Sequence, residues 1–499
     1  MHRATPDALN IAFATTAKAV EARNNIRHVG DYAIVSIERS DAERPNGAAY
    51  QSGWEIRHWP MPQSRDTYRT AWLMAAAVVL LGVGLTDINP NGATVTVLAA
   101  FATASAAIFT RRELPFTSDG GAVVRVLGAG IILEGYVLAM RPVLENAGYQ
   151  ILVFGLCLVA AHATVMATRW RRTEVAVVFV AYFVGMCWML AATNPPPSDV
   201  ILVQQEASAT LLDGLNPYSM RFENIYGQGT SYYAPELQVG DQLAFGFMYP
   251  PLSLLLAIPG YVITGDFRYG ALFAVTLTAT LAAIARPGAI ATGAAFLILF
   301  APVTQLVLYW GWSEPFVVLP LAATAYLAAR SSSSTPIALG LLISAKQFTL
   351  PVLLIGFVLL RTLRLRLGPT RIVLVPVGIA LATIIPFAIW NLPALVHSAV
   401  TSHLLMPFRL DAITIPALLA RFQLPPTPPL LGYVLGAVTL VVLLRGAPRT
   451  VAGFCFTTAV SLMVFFLFNK YAFMNYYYFV LVALACGIAT TSASIRDAS

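Results

Sequence analysis

From residue 71 onward the chain consists of apolar runs close to 20 residues long, separated by mostly short polar connections, and that spacing admits few folds. In hydrocarbon every backbone N–H and C=O must find its partner within the segment, which an α-helix of about 20 residues does across ~30 Å. Runs of this kind lie near 71–87, 93–110, 122–140, 150–168, 174–193, 249–264, 267–285, 289–330, 336–361, 371–390, 429–445, 450–468 and 474–491. The expectation is an all-α polytopic membrane protein with about 14 transmembrane helices. Residues 70–173 supply extra N-terminal helices and 174–491 the core, while 492–499 form a tail.

Composition agrees. Hydrophobic residues make up 58 % of the chain and charged ones only 11 %, against about a quarter in soluble domains. The net charge of +7 does not point to a nucleic-acid partner, because the arginines cluster in short connections as orientation signals do. Cys157, Cys187, Cys455 and Cys486 all fall in apolar runs without metal-ligand spacing and read as buried thiols. Residues 1–69 are polar and carry no secretory h-region. Their apolar patches, 11–20 and 32–37, suit a small element, and no function is assigned to them.

The connections alternate in charge. Arg65 and Arg69 precede the first run, Asp87 follows it, Arg111 and Arg112 follow the second, and Arg169, Arg171 and Arg172 follow the fourth. Cytoplasmic loops collect Lys and Arg, so both termini are expected inside a plasma membrane, with 194–248 and 391–428 as external loops. Arg361, Arg364, Arg366 and Arg371 mark a further inner connection. The run 289–330 is broken by Pro302 and by Tyr309-Trp310-Gly311-Trp312-Ser313-Glu314-Pro315. It is either one crossing over 289–311 or a dip that returns to the same side.

Asn194 to Leu252 holds six carboxylates (Asp199, Glu206, Asp213, Glu223, Glu236, Asp241) against one cation, Arg221. Long polar segments between packed elements are usually functional. Asp199 follows Pro195-Pro196-Pro197, which stiffens the approach, and it is either a base for a hydroxyl nucleophile or a helix cap. An amphipathic helix is expected over 200–212, stopped by Gly214, and it carries Glu206, which reads mostly as structure but is kept among the substrate-side candidates. Tyr218, in Asn216-Pro217-Tyr218, suits the headgroup level. Tyr249-Pro250-Pro251-Leu252 opens the next helix.

Lys346 sits inside an apolar run, where a cation is a functional-site hypothesis by default, here for a lipid phosphate, with snorkelling as the bland alternative. Arg221, Arg409 and Arg421 are further phosphate candidates. His403 lies in the second external loop beside His397, but with no carboxylate near them in the sequence a metal is not expected. Trp310 and Trp312 offer faces to a sugar or a prenyl chain.

An external Asp soon after a helix, an Ala/Leu segment ending in Gly-x-Asn-Pro-Tyr, Tyr-Pro-Pro-Leu at a helix start, and a Lys shortly before a Pro (Lys346, Pro351) together resemble the GT-C membrane glycosyltransferases. The nearest branch is the bacterial one using polyprenyl-phosphate sugars, including mannosyltransferases and arabinofuranosyltransferases, and the resemblance covers about 175–490. It implies an inverting transfer without nucleotide sugar or other cofactor, from a polyprenyl-phosphate sugar donor to a lipid or glycan acceptor at the outer face, with Asp199 as general base. It also implies that Lys346 and an external Arg neutralise the departing phosphate. Lys346, Arg221, Tyr249, Glu206, His403, Arg409 and Trp312 are together the substrate-binding candidates, with Trp310-Gly311-Trp312 standing where relatives often have a Gly-Gln pair. The competing readings are a lipid-linked sugar flippase or transporter, which needs no external base, and a surface-polysaccharide polymerase or ligase, which would lean on His403 and Arg409.

Overall fold

The computed structural model describes residues 27–29, 32–36, 56–60, 66–86, 89–109, 120–140, 146–166, 171–361, 368, 370–425, 427–428 and 430–491. The chain divides into two compact units, Met1–Arg65 and Asp66–Ser499. In the first, β1 (Arg27–Val29), β2 (Tyr32–Ser36) and β3 (Ile56–Pro60) form an antiparallel sheet with β2 central, Ala33 pairing with His28 on one side and Trp59 on the other. The patch expected at 32–37 is thus a strand, whereas 11–20 lies outside the described residues.

The second unit is helical, and the structure as a whole is 75 % helix. Its helices are α1 (Asp66–Gly84), α2 (Pro90–Phe109), α3 (Gly120–Met140), α4 (Ala147–Val165), α5 (Arg171–Ala192), α6 (Asp199–Leu212), α7 (Pro251–Thr264), α8 (Arg268–Ala285), α9 (Ala289–Phe300) and α10 (Pro302–Tyr309). They continue with α11 (Pro315–Ala329), α12 (Thr335–Ile343), α13 (Val352–Leu360), α14 (Arg371–Val396), α15 (Ser402–Leu405), α16 (Ile415–Arg421), α17 (Leu431–Gly446), α18 (Val451–Leu467) and α19 (Met474–Thr491).

Among the described residues, six helices are long and apolar enough to cross a membrane, or up to seven with the pair α9–α10, which bends by 46°. The other apolar helices are shorter: α7, α11, α17 and α18 run 14 to 17 residues. In α7 proline and glycine set both ends, Pro251 starting it and Gly265, at φ +78°, stopping it. The run 336–361 is not one helix either. It breaks at Lys346, whose backbone is extended (φ −156°, ψ 150°), into α12, a short 3-10 turn and α13. The segment expected as a loop over 391–428 stays helical to Thr401, through a non-helical Asn391 and a π-helical turn at His397–Thr401, and adds α15 and α16.

Every residue of α9 is buried. Helices α3 and α4 pack on it and α1 packs on α19, so the first helices are built onto the rest. Cys157, Cys455 and Cys486 are buried and Cys187 partly so. Arg421, a phosphate candidate, is instead a clamp: it donates to Asn91 Oδ1 (2.6 Å) at the start of α2 and to the Leu410 and Ala412 carbonyls (2.6 and 3.0 Å).

The polar segment after α5 folds over a second apolar core. Tyr218, Phe222, Phe245 and Phe247 are buried there with Val203 of α6, Leu254 of α7 and Phe387 of α14. Short strands β4 (Phe222–Glu223), β5 (Gln238–Val239) and β6 (Gln242–Leu243) pair with β6 central, so Leu243 lies opposite both Phe222 and Gln238. Gly214, at φ +74°, ends α6 as expected. Tyr218 departs from its expected headgroup position. It is only 2 % exposed, packs edge-on against Phe247 and Phe387, and donates to the Tyr249 carbonyl (2.8 Å), tying the two sequence motifs together.

Ser398 fastens that contact by donating to the Tyr218 carbonyl (3.1 Å) and accepting the Gly246 N–H (2.9 Å). A Cβ on Gly246 would lie 2.5 Å from the Tyr218 carbonyl oxygen and 2.6 Å from that of Pro217, both backbone atoms that cannot step aside. Gly246→Ala is therefore expected to cost about 1–3 kcal/mol, read as a lower thermal midpoint of the purified protein. An unchanged midpoint would show that the two strands are not held this closely.

Candidate active site

Helix α6 opens at Asp199 itself. The three prolines before it cannot donate backbone hydrogen bonds and keep the chain extended, and Ser198 at the N-cap remains extended (φ −131°, ψ 127°) without a side-chain cap. Asp199 Oδ1 accepts the Val200 N–H (2.8 Å) and Oδ2 accepts the Tyr233 hydroxyl (2.6 Å). The carboxylate is thus pinned at both oxygens on the wall of a cavity of about 1020 Å³.

Seven chain regions build that cavity: Thr86 and Pro90 at the junction of α1 and α2, the start of α6 with the residues just before it, the tyrosines Tyr226, Tyr232 and Tyr233, the Met248-Tyr249 corner before α7, the end of α10 with the turn that follows, and the segments 403–413 and 471–476. Gly311 sits at φ +63° in that turn, where a Cβ would strike Ile201 of α6 at 2.5 Å. Its conformation reverses the chain so that Trp310 and Trp312 both reach the cavity.

Of the residues singled out in the sequence, Asp199, Tyr249, His403, Arg409 and Trp312 line the cavity together. The Tyr249 ring lies 6.1 Å from that of His403. The Arg409 guanidinium stacks over Tyr232 (4.1 Å) and Phe473 (5.0 Å), and its Nε and Nη2 hold Asp411 bidentately (2.8 and 2.6 Å). One amino group, Nη1, is outside that fork.

The other candidates lie elsewhere. Arg221 is exposed next to β4 and does not line the cavity. Glu206 lies further along α6, half-buried, where burial and the neighbouring Glu223 carboxylate raise its carboxyl above the usual range.

Lys346 also does not line the cavity. It is 3 % exposed and ion-paired with Glu314, and it donates to Ser313 Oγ (3.2 Å). Its ammonium lies behind the cavity wall, 4.7 Å from the Tyr249 ring and 5.5 Å from that of Tyr476. Asn475, which does line the cavity, donates to the same Glu314 oxygen (2.9 Å). A charge in an apolar interior needs an opposite charge, and Glu314, the one acid in the aromatic break at 309–315, supplies it.

Sequence reasoning missed Tyr226, Tyr232, Tyr233 and Asp411. The one local signal was the Tyr-Tyr pair just after a Gly-x-Gly turn, with Gly227 and Gly229 at φ +80° and +69°. Among the described residues no three His, Cys, Asp or Glu side chains gather as metal ligands. No protein family, curated protein or solved structure is found to match the chain.

Proposed function

We propose that the chain is a multi-pass membrane glycosyltransferase of GT-C type, moving a sugar from a polyprenyl phosphate to a hydroxyl of a lipid or glycan acceptor at the outer face of the membrane. On this reading the shorter apolar helices complete the expected set of about 14 crossings, and the arginine-rich connections face the cytoplasm. The observation that carries it is Asp199: a carboxylate held at both oxygens, in a cavity walled by tyrosines and tryptophans, with Arg409 on the same cavity.

The chemistry is a single displacement. Asp199 takes the proton of the acceptor hydroxyl, the acceptor oxygen bonds to the anomeric carbon from the face opposite the phosphate, and the carbon–phosphate oxygen bond breaks with its electron pair leaving on the phosphate. Phosphate is a good leaving group, so no second carboxylate is required. In this reading Arg409 Nη1, outside the Asp411 fork, binds the departing anion, and the aromatic faces suit the apolar faces of sugar rings.

Purified protein incubated with polyprenyl-phosphate mannose and polyprenyl-phosphate arabinofuranose, together with lipid and glycan acceptors, is expected to give acceptor heavier by one sugar and free polyprenyl phosphate by mass spectrometry. Movement of the intact donor across proteoliposomes without such a product would favour a flippase and reject the proposal.

A further inference from the structure

We infer that Tyr233 is the positioning residue of the base: carried on the 224–238 loop, it holds one oxygen of Asp199 and thereby sets the plane of the carboxylate toward the cavity, an assignment that rests on the transferase reading above. The Val200 N–H comes from the next residue of the same helix and constrains only Oδ1. A second donor from a separate element, 34 residues away in the chain, turns one-point into two-point fixation. Each carboxylate oxygen accepts at more than one site, so both retain capacity for an incoming hydroxyl.

The loop is built to deliver this side chain. Tyr233 is buried, packed against Phe245 (ring centroids 5.9 Å apart) and Tyr226 (6.2 Å). Its carbonyl accepts from Gln238 Nε2 (2.8 Å), which also donates to the Thr230 carbonyl (3.2 Å), while Gln238 Oε1 accepts the Gly229 N–H (3.1 Å). Asn224 closes the other end by donating to the Gly227 carbonyl (2.8 Å).

Burial and the Asp199 charge push the Tyr233 phenol far above its ordinary range, so it keeps its proton and acts only as a donor. The other ionisable groups around Asp199 are Tyr226 on the same loop, Tyr249 before α7, His403 and the Arg409–Asp411 pair on the 403–413 segment, Tyr471 and Tyr476 opposite, and Lys346–Glu314 behind Tyr249. Tyr226 also hydrogen-bonds Asp199 and remains in Tyr233→Phe, so that variant removes one of two tyrosine contacts to the carboxylate.

The test is Tyr233→Phe, which keeps the ring and its packing. With a farnesyl-phosphate sugar as donor and an octyl glycoside as acceptor, kcat is expected to fall on the order of tenfold. KM should stay within about twofold and the thermal midpoint should be unchanged, since the ring and its packing remain while the contact that orients the carboxylate is gone. Wild-type kcat overturns the assignment, as does a rise in KM equal to the loss in kcat/KM or a loss that appears only with a lowered thermal midpoint.

Should the wild-type protein transfer no sugar at all, the transferase reading fails while the contact remains testable. Carbodiimide labelling of Asp199 at one fixed pH, followed by peptide mass, should then be faster in Tyr233→Phe, since the hydroxyl no longer covers Oδ2. Equal labelling rates overturn the role of Tyr233 whatever the reaction is.

Discussion

Asp199→Asn is expected to lower sugar transfer by about 10²–10⁴-fold, the range that a positioned general base contributes, while yield and thermal midpoint remain those of the wild type. The amide has the shape of the carboxylate, and its oxygen can still accept the Val200 N–H, as Asp199 Oδ1 does now. Its nitrogen can donate to the Tyr233 hydroxyl, which currently donates to Oδ2 at 2.6 Å. The fold loses little; the site loses its proton acceptor. A transporter with the same cavity would tolerate the change, so full transfer activity in the Asp199→Asn variant would remove Asp199 from the mechanism.

Lys346→Met should be the most destabilising single change at the site, at about 3–5 kcal/mol, because it leaves Glu314 charged and buried without its partner. Glu314 is 0 % exposed, its second oxygen has no hydrogen-bond partner, and its remaining donor, Asn475, carries no charge to replace the ammonium. Glu314→Gln alone should cost a similar amount by stranding the lysine. The double variant, Lys346→Met with Glu314→Gln, should recover most of the loss, since removing both charges removes the unpaired one. Thermal midpoints of the four proteins measure this coupling; additive losses would show that the pair is not a unit. Transfer by the stable double variant then decides the role of Lys346. Retained activity assigns it to holding Tyr249 and Asn475 in place, and lost activity returns it to the phosphate.

The segment that the sequence marked out, 194–252, does bring its acid to a cavity, and the motifs flagged within it meet in space through the Tyr218–Tyr249 contact. The partners of that acid were not legible. Tyr233 and Asp199 are neighbours only because β4, β6 and β5 and the Gln238 contacts fold the intervening chain back on itself. Arg409 reaches the same cavity from a segment read as loop, which is largely helical up to Leu405. Lys346 was marked as anomalous in its apolar run, and its charge is paired with Glu314, 32 residues away.

Read alone, the sequence determined most of the helical stretches and roughly where many of them stop, because apolar run length, proline and glycine act within a few residues of backbone. It also located the polar segment and its first carboxylate. Only the tertiary structure decided which charges are spent on each other, which tyrosine holds the acid, and how the run at 336–361 breaks, because those outcomes depend on side chains remote in the chain meeting in a low-dielectric interior, where an unpaired charge or donor is too costly to leave alone.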